Sequence, residues 1–257
     1  MEKLPAFAGW QWIKQGFALF RRQPAEMSTL FVLYVFLTGM LSLIPLVGPI
    51  LRFILVPAFS MAFMQACADI EQGKRVYPRL LFVGFRMPAF KSLAKLGVLY
   101  LSAALLALAA TMLFDGGIFW QAINSQNAPD QKTVQDSGLV LSTLFAVFTY
   151  LSISLLLWFA PALIAWKNMS VGKAIFFSFF SVLRAIKAFF VYLFAWMMIG
   201  MMLMLLISAL LRALFNNIET EIFILLPFAM LLMVVVQCSF YPSYAQIFGA
   251  PPAPKES

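Results

Sequence analysis

Histidine is absent from this 257-residue chain, cysteine occurs twice, and acidic residues number only ten. The missing histidine removes the commonest metal ligand and the side chain that most readily moves protons near neutral pH. Cys67 and Cys238 alone cannot complete a four-thiolate zinc or iron–sulfur site, so neither a metal nor another cofactor is expected. Both thiols are placed near cytoplasmic helix ends, where they stay reduced and pack as small apolar residues. Charge is scarce as well: 11% of residues are charged and 63% are apolar, against about 25% and about 45–50% in an average soluble domain. A water-soluble fold of this size cannot cover so much apolar surface, because even ordinary proteins leave much of theirs exposed. The composition excludes a soluble enzyme, a disordered chain, a collagen-like fibre and a disulfide scaffold, and it places the chain in a bilayer.

A spanning helix needs about 20 predominantly apolar residues. Six stretches meet that length, from Met27 to Ile44, Ile50 to Ala68, Leu93 to Phe114, Leu139 to Trp166, Ala188 to Leu211 and Ile222 to Tyr241. The expected fold is therefore all-α: a single polytopic membrane domain over residues 1–248, with six spans in three hairpins. Pro45 to Pro49, holding two prolines and a glycine, breaks the first pair into a tight hairpin. The fourth stretch is long enough to tilt or to change direction at Pro161. The segment from Asp115 to Gly138 is expected to form the one sizeable external loop, with Trp120 in the aromatic belt. The proline-bearing tail, residues 249–257, is expected to be disordered.

The first apolar run begins only at Met27, behind Trp10, Trp12, Arg21 and Arg22. A cleaved signal places its apolar core directly after a short basic region, so this run is expected to persist as a span. Lysine and arginine resist translocation and thereby set orientation. Of the 18 basic residues, Arg52, Lys132 and Arg212 fall on one side of the predicted membrane and the rest on the other, while acidic residues divide evenly. Both termini are expected in the cytoplasm. The net charge of +8 flanks apolar spans instead of forming a basic domain, which argues against nucleic acid as a partner.

A basic, aromatic segment precedes each odd-numbered span. In the first, Trp10, Ile13, Phe17 and Phe20 recur at intervals of three and four and define one helical face. The second runs from Arg79 to Lys95 and the third from Ser170 to Lys187. Such segments suit helices lying in the cytoplasmic-side interface. The following inward spans carry Pro57-Ala58, Pro161-Ala162 and Pro242-Ser243. The chain thus reads as three copies of interfacial helix, outward span and inward span. The positive-inside rule by itself would also produce the basic flanks.

The opening Gly9-Trp10-Gln11-Trp12-Ile13-Lys14-Gln15-Gly16-Phe17-Ala18-Leu19-Phe20-Arg21-Arg22-Gln23-Pro24, the hairpin Leu43-Ile44-Pro45-Leu46-Val47-Gly48-Pro49, and the run Pro57 to Cys67 resemble a family of six-span inner-membrane proteins of Burkholderia-like and Neisseria-like bacteria. The resemblance is closest over residues 9–110. It implies residence in the bacterial inner membrane and carries no catalytic residues. More distantly, the arrangement is similar to the membrane domain of some glycerophosphodiester phosphodiesterases, although no phosphodiesterase domain is present.

Seven residues are candidate ligand-binding groups. Arg52 and Arg212 are cations on the side where few are expected. They draw an anionic headgroup toward a cleft between hairpins, or else they snorkel to the surface or pair with Asp115, Glu219 or Glu221. Lys91 and Lys95 sit four apart on one helical face and could, with Arg86, bind lipid phosphate or simply anchor topology. Gln65 and Gln237 are polar residues inside spans, suited to a ligand or to hydrogen bonding between helices. Serines within spans, including Ser102, Ser152, Ser154 and Ser208, are expected to bond to their own helix backbone. Ala103, Ala107 and Thr111 form a small-residue stripe for close helix approach. The methionines around Gly200 make the fifth span adaptable.

No nucleophile elbow, phosphate loop or acidic metal motif occurs in the sequence. The expected function is that of a non-enzymatic inner-membrane protein that binds or moves a lipid or other amphipathic ligand. The alternative is a scaffold or assembly partner of another membrane protein, or of a second copy. The expected partners are membrane lipids first and a membrane protein second.

Overall fold

The computed structural model describes residues 4–45, 47–115, 139–215 and 217–251, and all regular structure among them is helical. The expected external loop, and the tail beyond Pro251, lie outside the described residues. Helix α1 spans Ala8–Arg22 and α2 spans Pro24–Ser42. Helix α3, Val47–Glu71, completes the first hairpin. A 3-10 turn, Pro78–Phe82, and a short helix α4, Val83–Arg86, lead into α5, Phe90–Asp115. The returning half of that hairpin is divided into α6, Leu139–Leu156, and α7, Ala160–Lys167. Helix α8, Val171–Arg184, then precedes the last hairpin, α9, Ile186–Phe215, and α10, Ile218–Phe248. Six helical stretches among the described residues are long and apolar enough to cross a membrane.

Local chemistry explains where the helices stop. Gln23 leaves the helical region, and Pro24, whose missing N–H would be unpaired anyway, starts α2. Asn168 adopts φ 49° at the end of α7, a left-handed conformation that asparagine tolerates better than most residues, and the Met169 N–H caps the Leu163 carbonyl. The segment from Arg79 to Lys95 is not one helix. Pro88 forces Met87 into an extended conformation with ψ 143°, which separates α4 from α5 and places Lys91 and Lys95 in the span helix itself. At the first hairpin, a Cβ on Gly48 would meet the Leu41 carbonyl oxygen at 1.8 Å, so only glycine allows α3 to start this close to α2.

The packing runs in a ring. Helix α1 lies against α9 and α10; the 3-10 turn and α4 lie against α2 and α3; α8 lies against α5, α6 and α7. Each amphipathic piece therefore leans on the hairpin preceding its own in the ring, and the first leans on the last. Inside this ring the halves of the inward helices nearest the termini form the core: Ala58 to Ala68 of α3, Phe159 to Ile164 around α7, and Cys238 to Tyr244 of α10. Trp158 meets Phe240 at 4.3 Å between ring centroids and Trp166 meets Tyr244 at 4.9 Å, tying the second and third hairpins together at this level.

The buried face of α1 differs from the aromatic face expected from its spacing. Ala8, Gly9, Trp12, Ile13, Gly16 and Leu19 are buried, whereas Phe17 is exposed on the helix flank and stacks on Trp196 at 5.9 Å. Two glycines cause the turn. A Cβ on Gly9 would meet the Ala188 carbonyl oxygen at 2.1 Å, and one on Gly16 would meet the Ser239 Cα at 2.7 Å. Backbones in such contact gain dispersion along their length, a gain that a hydrophobicity count over side chains does not register.

Candidate functional site

The prolines of the three inward helices shape the middle of the molecule. Proline has no N–H, so each leaves the carbonyl four residues earlier without its helical donor. For Pro242 that oxygen belongs to Cys238 and receives the Cys67 thiol from α3 at 3.9 Å. For Pro161, which sits in the first turn of α7, it belongs to Leu157 and takes the Ala160 N–H at 3.0 Å together with the Tyr100 hydroxyl from α5 at 3.4 Å. The break before Pro161 is also held from α8, where Ser178 accepts from the Phe159 N–H at 3.0 Å and donates to the Leu156 carbonyl at 2.8 Å. For Pro57 the oxygen is that of Phe53.

Between the three hairpins lies a cavity of about 420 Å³, in the size range of small-molecule pockets. It is walled by Tyr34 of α2, Pro57, Phe59, Ser60 and Phe63 of α3, Tyr100 of α5, Tyr150 and Ser154 of α6, Trp158 and Pro161 beyond it, and Gln237 and Phe240 of α10. Most of this surface is apolar, with hydroxyls and one amide set into it. The Ser154 oxygen is buried and has no hydrogen-bond partner. A buried polar atom without a partner forfeits its solvation, and a bound group that supplies the missing bond restores it. Ser102 and Ser152 bond to their own helix as expected, to Leu99 at 2.9 Å and Phe148 at 2.8 Å, but Ser154 does not, and Ser208 bonds to Glu221 instead.

Arg52 precedes Val56, a residue of the cavity wall, by one helical turn on α3. Arg52, Val56 and Ser60 follow one another at intervals of four on α3, which puts the guanidinium on the cavity-lining face one turn toward the hairpin end. Arg52 is exposed and forms no ion pair among the described residues. Gln237 lines the cavity directly.

The other candidates lie elsewhere. Arg212 pairs with Glu221 at 2.9 Å within the α9–α10 hairpin. Gln65 is spent on structure: its amide donates to Asp69 at 2.9 Å and its carbonyl accepts from the Trp166 indole at 3.0 Å, joining α3 to α7. Arg86, Lys91 and Lys95 are exposed side chains at the junction of α4 and α5 and do not border the cavity. Sequence reasoning missed Tyr34, Tyr100 and Tyr150, because a tyrosine within an apolar run gives no sign of which way its hydroxyl points. Proline spacing was the available signal, since it marks where three helices must yield.

Over 98% of its length the chain aligns, at 33% identity across 262 residues, with a probable inner membrane protein of Burkholderia thailandensis, covering 96% of that relative. The chain belongs to that protein's family. Membership in this inner-membrane family accounts for the surface: Phe148 and Phe190 are each 71% exposed and Phe223 is 80% exposed, as side chains bathed in hydrocarbon can be. Met197, Met201 and Met202 are exposed on α9 in the same way. No family model and no solved structure matches the chain, and the relative lends no support to the likeness with the membrane domain of glycerophosphodiester phosphodiesterases. The multi-pass character of this inner-membrane protein rests on its six apolar helices.

Proposed function

We propose that the protein binds a membrane lipid, or an amphiphile of similar build, in the cavity between its three hairpins, and that it does so without catalysing a reaction. One observation carries the reading: a cavity of about 420 Å³ between helices long and apolar enough to span a membrane has Ser154 in its wall, and the buried Ser154 hydroxyl has no hydrogen-bond partner. A bundle serving only as a scaffold gains nothing from such a void, since unfilled space forfeits dispersion contacts. Binding is favoured over chemistry because the lining contains no lysine, arginine or carboxylate that could activate Ser60 or Ser154. We assign the basic side to the cytoplasm from the excess of lysine and arginine there.

Native mass spectrometry of the protein released gently from its own membrane tests the reading. A lipid that stays bound through detergent exchange, and is lost when Ser154→Leu and Gln237→Leu are combined, supports it. A protein that sheds all lipid but retains a second polypeptide supports the scaffold instead.

A further inference from the structure

A second, wholly apolar recess adjoins the cavity. It has a volume of about 410 Å³ and lies between α5 and α6, floored by Ala104, Ala107 and Ala146 and closed at one end by Phe53 and Tyr150. Leu105, Val147 and Leu151 on its rim are 56%, 49% and 60% exposed, so in a membrane protein the recess opens to hydrocarbon. Tyr150 belongs to both spaces, forming one wall of the recess and one wall of the first cavity. The partition between them is thin: the Phe53 and Tyr150 rings touch edge to face with centroids 6.3 Å apart, near the outer limit for such a pair. Phe53 is carried on the helical turn whose carbonyl Pro57 deprives of its donor, so the backbone on that side lacks one rung of its ladder.

Resting on the lipid-binding reading above, we infer that the cavity is loaded sideways from the bilayer through a portal closed by Phe53 and Tyr150, and that its ligand is an anionic lipid. The hydrocarbon chain lies in the α5–α6 recess, and the headgroup passes the portal to reach Ser154 and Gln237, with its negative group beneath Arg52. Small side chains on the recess floor make room for a chain, as three alanines do here. Charge decides the headgroup: Arg52 lies on α3 next to Phe53 of the portal and one turn from Val56 of the cavity wall, and the lining itself holds no acid to neutralise it. A zwitterionic headgroup would bring its own ammonium toward the same guanidinium and lose part of that attraction. A phosphate diester on a glycerolipid and the carboxylate of a free fatty acid share this chemistry.

The test uses the full-length protein in nanodiscs holding phosphatidylglycerol, phosphatidylethanolamine or palmitate, each with a photoreactive diazirine near the chain end. Crosslinks in wild-type protein should map to α5 and α6 around Ala104 and Ala146. Phosphatidylglycerol or palmitate should outcompete phosphatidylethanolamine, and whichever of the two is captured more strongly identifies the source of the anion. Ala146→Phe should abolish those crosslinks, and Arg52→Gln should keep them while lowering the preference for the anionic lipid by about tenfold, the scale of one charge-assisted hydrogen bond. Crosslinks confined to other helices, or an unchanged pattern in Ala146→Phe, would overturn the portal while leaving a cavity lipid intact. If no lipid is held by the wild-type protein in any of the three discs, the portal and the binding reading fall together.

Discussion

The Cys67 thiol of α3 points at the Cys238 carbonyl of α10, 3.9 Å away, the oxygen that Pro242 leaves without a helical partner. The chain's two cysteines thus meet at the junction of the first and last hairpins, both fully buried. The first hairpin supplies the donor that the last one lacks. Cys67→Ala should lower stability by roughly 1–2 kcal/mol through lost volume and a lost weak donor. The loss should be smaller in a Pro242→Ala background, where the carbonyl regains its own N–H. Thermal unfolding of the four proteins in detergent closes this cycle, and equal losses in both backgrounds would mean that the thiol acts by volume alone.

Docking of α1 depends on its glycines. Gly16→Val would drive a branched side chain into the Ser239 backbone, 2.7 Å from the Cβ position, and should destabilise by about 1–3 kcal/mol or release the helix. Gly172→Ala in α8, where nothing lies within 4 Å of the added carbon, should instead stabilise by up to about 1 kcal/mol through helix propensity. Proteolysis of α1 and thermal unfolding of the two variants distinguish these outcomes.

The two far-face arginines should separate cleanly. Arg212 is already paired with Glu221 and lies in the α9–α10 hairpin, so Arg212→Gln should leave retained lipid unchanged. Arg52→Gln should reduce it at unaltered protein level. Equal lipid content in both variants, read by mass spectrometry, would remove Arg52 from the site.

The two glutamines should separate in the opposite sense. Gln65→Leu strands the Trp166 indole N–H in the core and should destabilise by about 1–3 kcal/mol. Gln237→Leu lines the cavity with one more apolar side chain and should change the lipid retained far more than the melting temperature. A large loss of stability in Gln237→Leu with wild-type lipid content would assign that amide to packing.

Reporter fusions check the orientation. A fluorescent protein that matures only in the cytoplasm should fluoresce on either terminus, and alkaline phosphatase inserted between residues 120 and 130 should be active. Activity of a phosphatase fused after the last residue would reverse the assignment.

Much of the fold was legible in the amino-acid order. Five spans were found within a few residues of their helices and the sixth helix runs seven residues past the expected Tyr241, because hydrocarbon leaves an apolar segment of that length no alternative to satisfying its own backbone. The fourth span bends where Pro161 said it could. The first and third basic, aromatic segments were legible as helices, while the second is split by Pro88; in the first the facing was not legible, because the expected stripe Trp10, Ile13, Phe17 and Phe20 counted aromatic bulk, whereas the buried one follows Gly9 and Gly16. The site was half legible. Arg52 and Gln237 were readable as polar residues in apolar runs, yet nothing in their spacing set them apart from Arg212 and Gln65, which lie in the same kind of surroundings and are consumed by partners.

Composition and hydropathy alone determined that this chain lives in a bilayer, crosses it six times and holds most of its cations on one side, because transfer of charge and of unpaired backbone into hydrocarbon is too unfavourable to leave those features open. Tertiary structure alone decided that the three hairpins close into a ring, that the carbonyl freed by Pro242 is met by a thiol from the first hairpin, and that Tyr150 stands between a cavity carrying hydroxyls and an amide and an apolar recess. Those relations join residues dozens to hundreds of positions apart, and they depend on which side of each helix turns inward, which in an apolar helix surrounded by lipid is settled by close packing and not by hydrophobicity.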